Sequence, residues 1–242
     1  MREEPVHRGR VVIPLKDSNP TERFPIITVV FITLNILVFL YQVSLGDDTV
    51  ESFVGAFSLV PARLFYAGTV LPGPVPVGVT IFTSQFLHGG LLHLTGNMLY
   101  LWIFGNNVED AMGRFRFIVF YLLCGAMASM AHALMNAQSN IPMIGASGAI
   151  SGILGAYVLL FPKARVLTLF TLGFFVRLIE VPAMAVLGFW FVFQFLNALV
   201  AHDAGGVAWY AHIGGFLAGM ALIILFKRSD VPLWGERRYR TL

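Results

Sequence analysis

Between Phe117 and Pro162 the chain carries no Asp, Glu, Lys or Arg. Soluble domains average about a quarter charged residues, so a gap of that length does not suit one. The whole sequence is 12% charged and 57% hydrophobic, so the gap is representative of the chain. In hydrocarbon each crossing segment must satisfy its own backbone, which makes a helix of about 20 apolar residues the building unit. The sequence is therefore that of an all-α polytopic membrane protein.

Six segments meet that requirement, roughly 25–45, 86–107, 115–136, 147–161, 181–201 and 208–226. The fourth is short and opens on glycines. An apolar stretch before the fifth, Val166 to Phe175, reads as interfacial. A long, partly embedded loop, about 46–85, joins the first two segments, and the prolines of its "LPGPVPVG" run argue against one continuous helix. The division that follows is a polar N-terminal tail (1–24) without the apolar core of a signal peptide, a membrane domain (25–226) and a basic C-terminal tail (227–242). Cys124, the single cysteine, sits in an apolar run and reads as packing.

Lys and Arg sort by side. With the N-terminus in the cytoplasm, fifteen of the 16 basic residues fall inside and only Arg63 falls outside. The basic charge is thus a topology signal and calls for no nucleic-acid partner. Both tails are expected in the cytoplasm. Segments two, four and six then run from outside to inside, and their first turns carry His88, His93 and Asn97, then Ser147, then His212. Topology brings these polar residues to one depth near the outer leaflet.

Helices in lipid associate through small residues at four-residue spacing. Gly148, Gly152 and Ala156 form such a stripe on the fourth segment, and Ala211, Gly215 and Gly219 on the sixth. Stripes that face each other bring Ser147 beside His212, and an imidazole beside a hydroxyl makes an activated nucleophile. The outer acids are Asp47, Asp48, Glu51 and Asp203, none within a span, so a Ser–His dyad is expected, with Asp203 a weak candidate for a third member. His93 and Asn97 share a helix face, and Ser147 opens a helix whose first N–H groups lack partners. Together they can converge on one oxygen as oxyanion donors.

These residues resemble the rhomboid intramembrane serine proteases. The likeness rests on "GASG" with Ser147, "HGGLLHLTGNM" with His88, His93 and Asn97, "AHIGGFLAG" with His212, and "GNNVEDAMGRFRF" after the second segment, in that family's order. It implies a six-helix rhomboid-like bundle that cleaves transmembrane protein substrates within or next to their membrane segment. It further implies Ser147 as nucleophile, His212 as base, and His93, Asn97 and the Ser147 backbone N–H as the oxyanion hole. Gly145 matches the first glycine of the motif, His88 supports the first loop, and no metal or other cofactor is required. The expected setting is a prokaryotic plasma membrane with the site opening outward. Two positions depart from the pattern: Ser151 stands where many members carry an aromatic that packs on the histidine, and "VGVTIFTS" lacks a Trp-Arg pair.

Other readings fit less well. No His-Glu-x-x-His run exists for a metalloprotease, histidines are too few for a desaturase, and no inverted repeat suggests a transporter. The main alternative is a catalytically silent rhomboid-like protein that binds transmembrane clients. His132 reads as structural, His202 and Asp203 as solvated, Glu109 as a clamp on Arg114 or Arg116, and Phe189, Trp190 and Phe193 as weak candidates for a substrate gate.

Overall fold

The computed structural model describes residues 11–66, 73–172, 175–200 and 207–234. Its elements are β1 (Val11–Asp17), α1 (Ile26–Ser44), α2 (Asp47–Phe57), α3 (Pro61–Phe65), α4 (Val77–Thr83), α5 (Leu91–Tyr100), α6 (Asn106–Met112), α7 (Arg114–Met135), α8 (Ser147–Leu160), β2 (Arg165–Leu172), β3 (Phe175–Pro182), α9 (Ala183–Val200) and α10 (Trp209–Phe226). A π-helical turn, Leu101–Gly105, joins α5 to α6, so the second membrane segment is one rod in three pieces. The protein is a helical, polytopic membrane fold.

Among the described residues four helices are long and apolar enough to cross a bilayer: α1, α7, α9 and α10. α8 has only 14 residues, and every one from Gly148 to Leu160 is buried. A helix walled by protein on all sides need not match the hydrocarbon thickness, which accounts for its shortness. Glycine makes that enclosure possible. A Cβ on Gly219 would strike the Gly152 carbonyl, one on Gly215 the Gly148 carbonyl, and one on Gly155 the Phe216 carbonyl. The two small-residue stripes do face each other, backbone against backbone. On its other side α8 meets α7, where a Cβ on Gly148 would lie 2.7 Å from Ala128 Cβ. Without water to expel, contact of this closeness is what holds helices together in lipid.

Among the described residues, the loop between α1 and α5 holds three short α-helices, α2 to α4, and no continuous span. It is fastened to the segment before α8 by a Leu59–Met143 bridge and by the Gly145 N–H donating to the Ser84 carbonyl at 2.9 Å.

A three-stranded antiparallel sheet closes the opposite end of the bundle, in the order β1-β2-β3. It corrects two sequence expectations. The Val166–Phe175 stretch is mostly strand β2, paired with β3 from Arg165↔Pro182 to Leu172↔Phe175. Val11–Asp17, inside the polar N-terminal segment, is a strand paired with β2. Asp17 anchors the sheet to the bundle: its Oδ2 accepts from Tyr157 Oη at 2.7 Å and from Asn107 Nδ2 at 2.8 Å. Burial pushes the Asp17 carboxyl above its ordinary range, and the Tyr157 hydrogen bond opposes that shift. The Lys227–Trp234 segment also packs here, with the Trp234 N–H on the Leu159 carbonyl at 2.8 Å.

Glu109 differs from expectation as well. It clamps neither Arg114 nor Arg116. Its carboxylate accepts from the N–H groups of Ile27 (3.0 Å) and Thr28 (2.8 Å) and from Thr28 Oγ1 (2.8 Å). Glu109 therefore caps the start of α1, whose first donors have no intrahelical acceptors.

Candidate functional site

At the end away from the sheet, α5, α8 and α10 all begin, and a cavity of about 940 Å³ opens among them. Its walls include His93, Asn97, His132, Ser147, Trp190 and His212.

Ser147 is the first residue of α8 and His212 lies in the first turn of α10. The glycine seam fixes these helices against each other, and as a result Ser147 Oγ and His212 Nε2 are 2.9 Å apart. The other ring nitrogen, Nδ1, is 2.8 Å from Gln194 Oε1 on α9. Each imidazole nitrogen thus has one partner, and the two partners come from different helices.

Gly145 adopts φ +122, a conformation open to glycine and strained for other residues. A Cβ there would lie 2.8 Å from His93 Nε2 and 3.7 Å from Ser147 Oγ. A side chain there would strike the His93 ring, so glycine lets His93 pack against the loop that leads into Ser147. Asn97, one turn below His93, is 8% exposed, and its Nδ2 has no hydrogen-bond partner among the described residues. A buried amide donor left open costs free energy unless something else fills it, so it marks a place for a ligand oxygen. α8 starts at Ser147, in the same cavity wall as Asn97, and no side chain caps its first N–H groups.

His88 precedes α5 and is buried; its ring lies 5.1 Å from that of His93. Gln42 of α1 grips its backbone, donating to the His88 carbonyl and accepting its N–H, both at 3.1 Å. The sequence reading passed over Gln42, whose only signal is an amide, one of two with Asn35, in an apolar helix. His132, read as structural, lines the cavity with Asn136. Its Nδ1 is 3.5 Å from Asn136 Nδ2. Asp203 and His202 lie outside the described residues.

Ser151 does not pack on the histidine in place of an aromatic. Its hydroxyl turns back onto the Ser147 carbonyl at 2.6 Å. Aromatic support comes from elsewhere: the Trp190 ring lies 5.8 Å from the His212 ring at 36°, and Trp209 meets it edge-on at 6.3 Å. Trp190, expected at most as part of a gate, is in contact with the site. Phe189 and Phe193 remain exposed on α9. Gln194 was also missed, because a carboxylate was the third partner sought.

The profile of the Rhomboid domain family matches residues 77–229. The chain is 33% identical over 199 residues to the rhomboid protease GluP of Bacillus subtilis, covering 82% of this chain and 35% of that protein. It is 32% identical over 161 residues to the mitochondrial RHOMBOID-like protein 6 of Arabidopsis thaliana, 65% of this chain and 47% of that one. With the mitochondrial rhomboid protein 1 of Saccharomyces cerevisiae it shares 33% identity over 153 residues, 59% and 40% of the two chains. The chain belongs to the rhomboid family. It spans about a third to a half of the length of these relatives.

Proposed function

We propose that the protein is an intramembrane serine endopeptidase that hydrolyses a peptide bond in or beside a transmembrane segment of its substrate. The observation that carries this reading is the 2.9 Å contact of Ser147 Oγ with His212 Nε2 on the wall of an open cavity. As Ser147 Oγ attacks the scissile carbonyl carbon, its proton passes to His212 Nε2, which later gives it to the leaving amine. The charge that develops on the carbonyl oxygen is met by Asn97 Nδ2, His93 and the Ser147 N–H. Glycine at 145 lets the His93 ring lie against the loop that leads into Ser147, since a side chain there would strike it. His88 supports the ring of His93 from behind. Water entering the cavity then hydrolyses the acyl-enzyme, and no metal or other cofactor enters the scheme.

The basic-residue count favours both termini in the cytoplasm, a cytoplasmic sheet and a cavity opening outward. The proposed setting is a prokaryotic plasma membrane; the similar proteins named above come from one bacterium and from mitochondria. The proposed residue division is a membrane domain over 25–226 between two cytoplasmic segments.

The test is cleavage of a single-span reporter protein co-reconstituted in liposomes. The wild type is expected to release a fragment cut within or beside the reporter's span, slowly because docking and local unwinding precede chemistry. Ser147→Ala is expected to release none. A folded wild type that binds the reporter but leaves it intact under all reporter sequences tried would favour a silent, client-binding protein.

A further inference from the structure

We propose that Gln194 is the third member of the site, a neutral positioning residue that sets which nitrogen of His212 carries the proton. The proposal rests on the reading of Ser147 and His212 as nucleophile and base.

The chemistry follows from what an amide oxygen can do. Gln194 Oε1 has lone pairs and no hydrogen, so across 2.8 Å it can only accept. His212 Nδ1 must then be the protonated nitrogen. In a neutral imidazole that leaves Nε2 bare, with its lone pair directed at Ser147 Oγ, 2.9 Å away. The opposite tautomer would point an N–H at the serine hydroxyl and could not take its proton. Base competence therefore depends on the group facing Nδ1.

Three features single out Gln194 for that task. It is 5% exposed within a helix of sequence AMAVLGFWFVFQFLNALV, where a buried amide needs a reason to be there. Its oxygen has no hydrogen-bond partner other than His212 among the described residues. The other amide of that helix, Asn197, is committed elsewhere, donating to the Phe193 carbonyl at 2.7 Å. A carboxylate at position 194 would fix the same tautomer but would place an ionised group inside the membrane. The amide supplies the acceptor without the charge.

During attack the Ser147 proton moves to Nε2, the Oγ–carbon bond forms, and the Nδ1 proton stays on His212 in its bond to Gln194. When the amine leaves, Nε2 returns its proton and the original tautomer is restored. Trp190, one turn earlier on α9, packs against the same ring. Both orienting contacts are thus delivered by α9.

The experiment uses the full chain in liposomes, with Gln194→Met (similar length, no amide acceptor) and Gln194→Glu (acceptor retained). A fluorophosphonate probe gives the maximal labelling rate and the half-saturating probe concentration separately. Gln194→Met is expected to lower the maximal rate by at least about tenfold with half-saturation unchanged, and Gln194→Glu to return it to within about threefold of wild type. A merely structural role would move the melting temperature and leave the Glu variant no better than Met. In parallel, nitrogen-15 NMR of histidine-labelled wild type, with His212 assigned by loss of its signals in His212→Ala, is expected to show Nδ1 protonated and Nε2 bare. Labelling of a folded Gln194→Met variant at the wild-type rate, or a wild-type His212 protonated at Nε2, would overturn the proposal. Persistent labelling of Ser147→Ala would instead sink the assignment of the nucleophile and leave the tautomer measurement standing on its own.

Discussion

The two ends of the bundle treat buried polar groups differently. At the sheet end Glu109 takes three donors from the start of α1, and Asp17 takes two from Tyr157 and Asn107. Asn19 adds a further bond to Asn107 Oδ1 at 2.9 Å. At the cavity end Asn97 Nδ2 is buried and open. Glu109 and Asp17 have their carboxylates filled by donors from the chain itself, whereas Asn97 at the cavity leaves its Nδ2 open. The contrast predicts that substitutions at the first end change stability and those at the second change rate.

Glu109→Ala should break the sheet end most severely. It strands the Ile27 and Thr28 donors at the start of α1, and the expected loss is roughly 3 kcal/mol, read as a large drop in thermal stability in detergent. If Glu109→Ala melts like the wild type, the cap is not what fixes α1. Asn97→Ala is the converse case. Removing one oxyanion donor should lower the fluorophosphonate labelling rate by about 100-fold with the melting temperature unchanged. A variant that instead melts early and labels normally would show Asn97 to be a structural tie. Tyr157→Phe should have the smallest effect, about 1 kcal/mol of stability from one lost hydrogen bond to Asp17, with the labelling rate per folded molecule preserved. A change in rate here would mean that the sheet end communicates with the cavity along α8.

Much of the cavity end was legible in the sequence, because its logic is periodic. Small residues every fourth position on two segments of the same direction fix which helices touch and at what depth, and that places Ser147 against His212. The sheet was not legible for the opposite reason. β2 pairs with β1 at Val11–Asp17, well over a hundred residues away, and no local pattern announces such a partner. The apolar run Val166–Phe175, which forms most of β2, reads equally well as an interfacial segment. Glu109 was read as pairing with arginine because sequence shows charges and hides backbone donors, whereas its partners are mostly N–H groups at a helix start. Gln194 escaped notice because an amide can do the orienting work usually sought from a carboxylate. Its one signal is polarity inside an apolar helix.

Fluorophosphonate labelling of the liposome-reconstituted protein tests the central claim most directly, with Ser147→Ala and His212→Ala alongside the wild type. An activated serine predicts that the wild type labels covalently, that the mass shift maps to Ser147, and that both variants stay unlabelled while melting as the wild type does. Labelling that persists in folded Ser147→Ala, or a folded wild type that stays unlabelled while an active rhomboid protease labels beside it, would contradict it.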